Sequence, residues 1–346
     1  MKNGKGFILI FILMSLILII SGCGNSEKAS QDKNEQEQTE VEKQEETKDE
    51  STEAVEEEPQ EAASAITVTD LAGNLVEFES VPERTIAFSL GDMQTIYALG
   101  GEVVGRPTIE GEIQLEAVKD LPEIGTTNSI NMEKVAELKP DLVIAHKQLN
   151  AKDIPALQQL GIKVLLTGAQ SIEEINTSIE MLGKVMAKET EASDLVNEIN
   201  QKIAQLKDSN SKELRSMIIF GVPGNWMVAL PTSLSGNFLE AIGGYNIAKD
   251  YPKLEKFPQY AQLNIERIIE ADPEAIFLIT PGSAEAAKIS FMKEMEKNPS
   301  WQTIQAVKNE HFILLPNHLF GSNPGPRVLE SLDYLNSELQ KISTNK

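Results

Sequence analysis

The residues best equipped for chemistry in this chain of 346 residues are one thiol, three imidazoles and a small set of cations and aromatics. Cys23 is the only cysteine, so no disulfide forms within the chain, and a secreted product would carry an odd reactive thiol. His146, His311 and His318 are the histidines, and a neutral imidazole offers a lone pair to a metal centre. Arg106, Lys147 and Arg327 can pair with carboxylate, phosphate or catecholate oxygens, and Trp226, Tyr260 and Phe320 offer flat apolar area to a bulky ligand. No Gly-x-Gly-x-x-Gly follows a strand and no Gly-x-Ser-x-Gly elbow is present, which argues against an enzyme. A binder of bare zinc or manganese would assemble three histidines with a carboxylate. His311 opens a strand and reads as surface, which leaves two.

The elements that must position these residues begin after residue 65. Before it, Lys2 and Lys5 precede an apolar stretch over 7–20, and Ile20-Ser21-Gly22-Cys23 follows. Its 14 residues fall short of the roughly 20 needed to span a bilayer, so residues 1–22 read as a signal peptide. The Ile-Ser-Gly-Cys order resembles the lipobox of bacterial lipoproteins, which implies a diacylated Cys23 as the mature N-terminus. Two acyl chains, at about 0.8 kcal/mol per buried methylene, make a lasting anchor. Residues 24–64 carry 15 acidic and 4 basic side chains, a net of −11 out of the chain's −22. Residues 23–65 are therefore expected to be a lipidated, self-repelling disordered tether that cannot build a core. Its sign argues against nucleic-acid partners.

From residue 66 the pattern predicts an opening β-hairpin over 66–78, then strands at 84–88, 142–145 and 163–166 alternating with helices at 92–99, 131–138, 151–160 and 171–186. The same order returns with strands at 216–220, 275–279 and 311–315 and helices at 235–242, 264–271, 290–297 and 326–341. Alternation of this kind implies mainly parallel sheets with helices on their faces. Asn131-Met132-Glu133 through Ile144 parallels Asn264-Ile265-Glu266 through Phe277, and Ala98-Leu99-Gly100-Gly101 parallels Ala241-Ile242-Gly243-Gly244. The matching order suggests two similar lobes, over 66–186 and 210–346. Between them, Ala192, Leu195, Val196, Ile199, Ile203 and Leu206 have the spacing of an amphipathic helix, placed at 187–209. The expected fold is α/β: two Rossmann-like lobes with mainly parallel sheets, joined by one long α-helix.

Residues 68–74 with 81–87, the Leu138-Lys139-Pro140-Asp141-Leu142 block, Asn298-Pro299-Ser300-Trp301 and the closing Asn323-Pro324-Gly325-Pro326-Arg327 together resemble the class III binding proteins that serve ABC importers of siderophores, haem and cobalamin. That resemblance covers about 66–346. It implies a monomer with a ligand cleft between the lobes, no cofactor, and as partners a metal chelate, a permease dimer with its ATPase, and the extracellular face of the cell membrane through the lipid. It also implies that Glu133 and Glu266, one in each lobe, meet arginines on the two permease subunits.

Ligands of open α/β sheets lie beyond the carboxyl ends of the strands. The loops there carry Arg106, Thr108, His146, Lys147, Trp226, Tyr260, His318, Phe320 and Arg327, which are the expected ligand contacts. Trp301 and Met132, Met181 and Met186 read as packing residues. His146 or His318 would touch metal only if the ligand is haem or cobalamin. Haem-binding relatives carry a methionine where this chain has Thr126-Thr127-Asn128 and a histidine near Pro281 that is absent here. A ferric siderophore is accordingly the first expectation, haem the second and cobalamin the third. A surface receptor without a permease stays open.

Overall fold

The computed structural model describes residues 65–109, 113, 115–209 and 214–344. The expected signal peptide, Cys23 and the acidic tether to residue 64 lie outside the described residues. Among the described residues no helix is long and apolar enough to cross a membrane.

The described residues open with the expected antiparallel hairpin, β1 (Ile66–Thr69) with β2 (Leu75–Phe78). Asp70 closes its turn, accepting hydrogen bonds from the amides of Ala72 and Asn74. The N-terminal sheet pairs β3 (Thr85–Ala87) with β6 (Leu142–His146) and β6 with β7 (Lys163–Thr167), all parallel, and between β3 and β6 in the chain a small antiparallel ribbon pairs β4 (Gly125–Thr126) with β5 (Ser129–Ile130). Helices α1 (Leu90–Ala98), α2 (Met132–Glu137), α3 (Ile154–Gln159) and α4 (Ile172–Val185) connect and flank these strands.

Helix α5 (Glu189–Ser209) then runs 21 residues into the C-terminal lobe, about 31 Å at 1.5 Å per residue. Its buried residues Ala192, Val196, Ile199 and Leu206 form one stripe against α4 and the C-terminal helix. Burial of each of the three larger side chains contributes about 1.5–3 kcal/mol.

The C-terminal lobe is built on β8 (Arg215–Val222), β9 (Asn225–Ala229), α6 (Leu234–Ala241), β10 (Tyr245–Asn246), β11 (Tyr260–Gln262), α7 (Ile265–Ala271), β12 (Ala275–Ile279), α8 (Ala284–Met295), α9 (Gln305–Lys308), β13 (Phe312–Leu314), α10 (Asn317–Phe320) and α11 (Val328–Thr344). The sheet order is β11-β9-β8-β12-β13, with β10 pairing β8. Strands β8, β12, β13 and β10 run parallel, whereas β9 is antiparallel to both β8 and β11. Two segments expected as loops, around Trp226 and Tyr260, are therefore strands. Helix α8 begins at Ala284, six residues before the predicted start at 290.

Strand alternation sorts the core. Ile276 and Leu278 of β12 face one apolar cluster while Ala275, Phe277 and Ile279 face another, and Val143 and Ala145 of β6 part from Leu142 and Ile144 in the same way. The inner faces of both sheets share a single cluster with α4, α5, α6 and α11. The repeat is also structural. Gly100 and Gly243 both have positive φ, 79° and 84°, and close α1 and α6 with matching amide bonds to Tyr97 and Glu240.

Candidate functional site

The two lobes meet backbone to backbone. Gly91, at the start of α1, lies so close to the turn 323–325 that a Cβ there would sit 2.2 Å from the Asn323 carbonyl oxygen, and a Cβ on Gly325 would sit 2.3 Å from the Gly91 oxygen. Glycine at both positions is thus a requirement of the contact, and Gly325 in addition has φ of 59°. Beside this contact opens a cavity of about 510 Å³. Its N-terminal wall is Leu90, Gly91 and Gln94 of α1, then Pro107, Thr108 and Ile109, and Thr127 in the β4–β5 turn. The opposite wall is Asn317 and His318 of α10, then Ser322, Asn323, Pro324 and Arg327. It lies where the carboxyl ends of β3 and β13 lead into α1 and α10, the expected place for a ligand in such sheets.

The N-terminal wall is braced from behind. The Ser89 side chain caps α1 by accepting from the Asp92 amide, and its hydroxyl donates to Asp92 Oδ2 at 2.5 Å. The Thr167 hydroxyl at the end of β7 donates to the same oxygen at 2.8 Å. Burial pushes the Asp92 carboxyl above the usual carboxylate range, and the two hydroxyl donors oppose the shift. On the next turn the Asn150 side chain donates to the Thr127 carbonyl at 2.8 Å and accepts from the His146 amide at 2.9 Å.

Three of the nine expected ligand contacts, Thr108, His318 and Arg327, line this cavity. Arg106 does not. Its guanidinium is buried and spent on Glu123 at 2.9 Å and on the carbonyls of Pro107 and Lys119. Glu123 in turn accepts from the Thr108 hydroxyl at 2.8 Å, and this bond, with the Arg106 charge, holds its carboxyl below the ordinary value. Arg106 acts as the brace of the Thr108 loop.

His146 stands behind the wall. Its Nδ1 accepts from the amides of Gln148 and Leu149 at 3.1 and 3.3 Å, and its ring lies against Gly168. Burial, then the neighbouring Lys147, lowers its pKa. A neutral ring whose Nδ1 accepts carries its proton on Nε2, so neither nitrogen has a lone pair for metal. The Lys147 amine lies 3.4 Å from both the Leu71 carbonyl oxygen and Glu174, tying the hairpin to α4.

The three expected aromatics are packed into the cores. Trp226 is buried with its ring edge on Phe291 at 5.2 Å, and its indole N–H donates to Glu294 at 3.0 Å. Tyr260 stacks on Phe220 at 5.4 Å, and burial pushes its hydroxyl up to about 12. Phe320 is buried edge-on to Phe238 and Tyr334. Trp301 is fully buried, as expected for a packing residue.

His318 and Arg327 remain. His318 is exposed, and partial burial, then the Arg327 charge, keeps its pKa below the ordinary value, so the imidazole is neutral at pH 7. Arg327 grips Glu330 with two parallel bonds of 2.8 and 2.7 Å. Gln94 and Ser322 also line the cavity and were not expected there. The signal for the 322–327 wall was present in the Asn-Pro-Gly-Pro-Arg motif. Among the described residues no cluster of three or more His, Cys, Asp or Glu side chains could hold a metal ion.

A sequence model of the periplasmic binding protein family matches residues 86–319, which take in the N-terminal wall of the cavity and, of the opposite wall, Asn317 and His318. The chain belongs to this family. As a periplasmic binding protein of the class III type it holds a ligand rather than transforming one. It is 31% identical over 248 residues to the high-affinity heme uptake system protein IsdE of Staphylococcus aureus strain MRSA252, covering 71% of this chain and 81% of that protein. The crystal structure of S. aureus IsdE complexed with heme is 26% identical with a TM-score of 0.64, covering 74% of this chain and 98% of that one. An ABC transporter substrate-binding protein from Listeria monocytogenes EGD-e is 25% identical with a TM-score of 0.65, again over 74% and 98%.

Proposed function

We propose that this periplasmic binding protein is the receptor of an ABC importer, tethered to the outer face of the cell membrane by a lipid on Cys23, and that it captures haem in the inter-lobe cavity. The observation that carries the ligand reading is His318: a neutral imidazole exposed on the wall of that cavity, where iron of an incompletely coordinated chelate could reach it. Likeness to proteins named for heme uptake supports the same choice. Haem thus moves ahead of the ferric siderophore that the sequence ranked first.

Delivery would use the exposed acids Glu133 and Glu266, each in the first turn of a short helix capped by an asparagine, one helix in each lobe. Charge pairs of this kind set orientation and capture rate more than ligand affinity.

A second reading, a ferric hydroxamate siderophore, draws on the amide and hydroxyl groups of the walls, among them Gln94, Thr127, Asn317 and Ser322. A ferric tris-catecholate fits less well, because its triple negative charge would meet one cation of the lining, Arg327. Uptake of iron from haem and from ferric siderophores, compared in cells with and without this chain, separates the readings. Loss of haem uptake alone supports the first; loss of siderophore uptake alone establishes the second.

A further inference from the structure

The chemistry of the cavity is concentrated in one turn and the helix it packs on. Leu319 and Phe320 of α10 are buried, and the Ser331 hydroxyl on α11 donates to the Leu319 carbonyl at 2.9 Å. These pins turn Asn317 and His318 outward onto the cavity wall. Neither ring nitrogen of His318 has a hydrogen-bond partner among the described residues. The other two imidazoles are engaged or remote. His146 spends its acceptor nitrogen on two amides. His311 lies 3.0 Å from the Glu274 carbonyl, at the entry of β13 and so at the opposite end of the sheet from the cavity.

Arg327 stands next to this free imidazole. Arg327 lines both the cavity and a neighbouring groove formed with Gln94, Tyr97, Leu115 and Glu330. Its partner Glu330 is 55% exposed, so a ligand carboxylate can replace one carboxylate with another in the same two-bond geometry. A dianionic porphyrin presents both requirements, a metal with an open axial position and carboxylates at one edge.

We propose that His318 is the axial ligand to the iron of bound haem and that Arg327 exchanges Glu330 for a haem propionate. This rests on the haem reading above. The unprotonated ring nitrogen gives its lone pair to ferric iron and displaces a water. No electron or proton is transferred, and Glu330 is released to solvent.

The test uses the full chain in detergent, titrated with ferric haem and with its dimethyl ester, and read by the Soret band and the iron spin state. For His318→Gly the expected result is at least tenfold weaker binding and an altered Soret band and spin state, with the wild-type spectrum restored by added imidazole. Arg327→Leu is expected to weaken haem binding about tenfold while leaving the dimethyl ester within about twofold. An unchanged spectrum and affinity in His318→Gly overturns the ligand assignment. Equal losses for haem and ester in Arg327→Leu overturn the exchange. If the wild-type chain binds no haem, the reading of the site falls first and this proposal with it.

Discussion

Arg84 and Arg215 do the same work in the two lobes: each stands at the entry of a parallel strand and caps, with its guanidinium, the end of the helix leading into the next. The Arg84 side chain donates to the carbonyls of Leu138 and Lys139, and that of Arg215 to the carbonyl of Asp272. Their amides donate in turn to Asp141 and Glu274. Lys139 and Asp272 both occupy the left-handed region, with φ of 46° and 42°, and a proline follows each. The N-caps match as well, Asn131 accepting from the Lys134 amide and Asn264 from the Arg267 amide.

This shared construction holds Glu133 and Glu266 at the same point of equivalent helices. Reversing both charges, Glu133→Arg with Glu266→Arg, is expected to abolish uptake in cells while leaving ligand affinity within about twofold, well inside the 1.4 kcal/mol of a tenfold change. Titration and labelled import on the same double variant check it. Normal import would remove these acids from docking, and lost affinity would move them to the cleft.

Gly91→Ala is expected to destabilise the protein by about 1–3 kcal/mol, because the added methyl meets the backbone of residue 323 and not a side chain that could swing away. Ligand affinity should fall with it, since Gly91 and Asn323 belong to opposite walls of the cavity. Chemical denaturation and titration of the variant measure both. Unchanged stability would mean that the lobes separate there at no cost.

Protonation of His318 should compete with iron. Its pKa lies below the ordinary imidazole value, so the neutral ring is the favoured form in the folded protein. Haem affinity is therefore expected to be flat above about pH 6.5 and to decline only as the pH drops beneath that ordinary value. His318→Gln should remove this acid-side decline. Persistence of the same decline in the variant, measured by titration across pH, would assign it to another group.

Much of the fold was legible in the sequence because burial repeats with the period of each element. The strand expected at 275–279 is β12 residue for residue, and the stripe from Ala192 to Leu206 is the inward face of α5. Strands β9 and β11 were missed because Pro223-Gly224 and Phe257-Pro258 punctuate the chain and hide the short runs beside them. The site was less legible, since partners far along the chain decide whether a polar group is free. No local pattern announces that Glu123 will claim Arg106, that two amides will occupy the acceptor nitrogen of His146, or that Glu294 will hold the Trp226 indole inside a core. His318 escaped such claims because the residues after it, Leu319 and Phe320, take the buried places.

Whether this periplasmic binding protein takes haem is decided by equilibrium titration of the full chain in detergent with ferric haem, ferric hydroxamate, ferric catecholate and cobalamin. One haem per chain with a shifted Soret band is the expected result, with no saturable binding of the other three. Saturable binding of a ferric siderophore with no Soret shift from haem would contradict it.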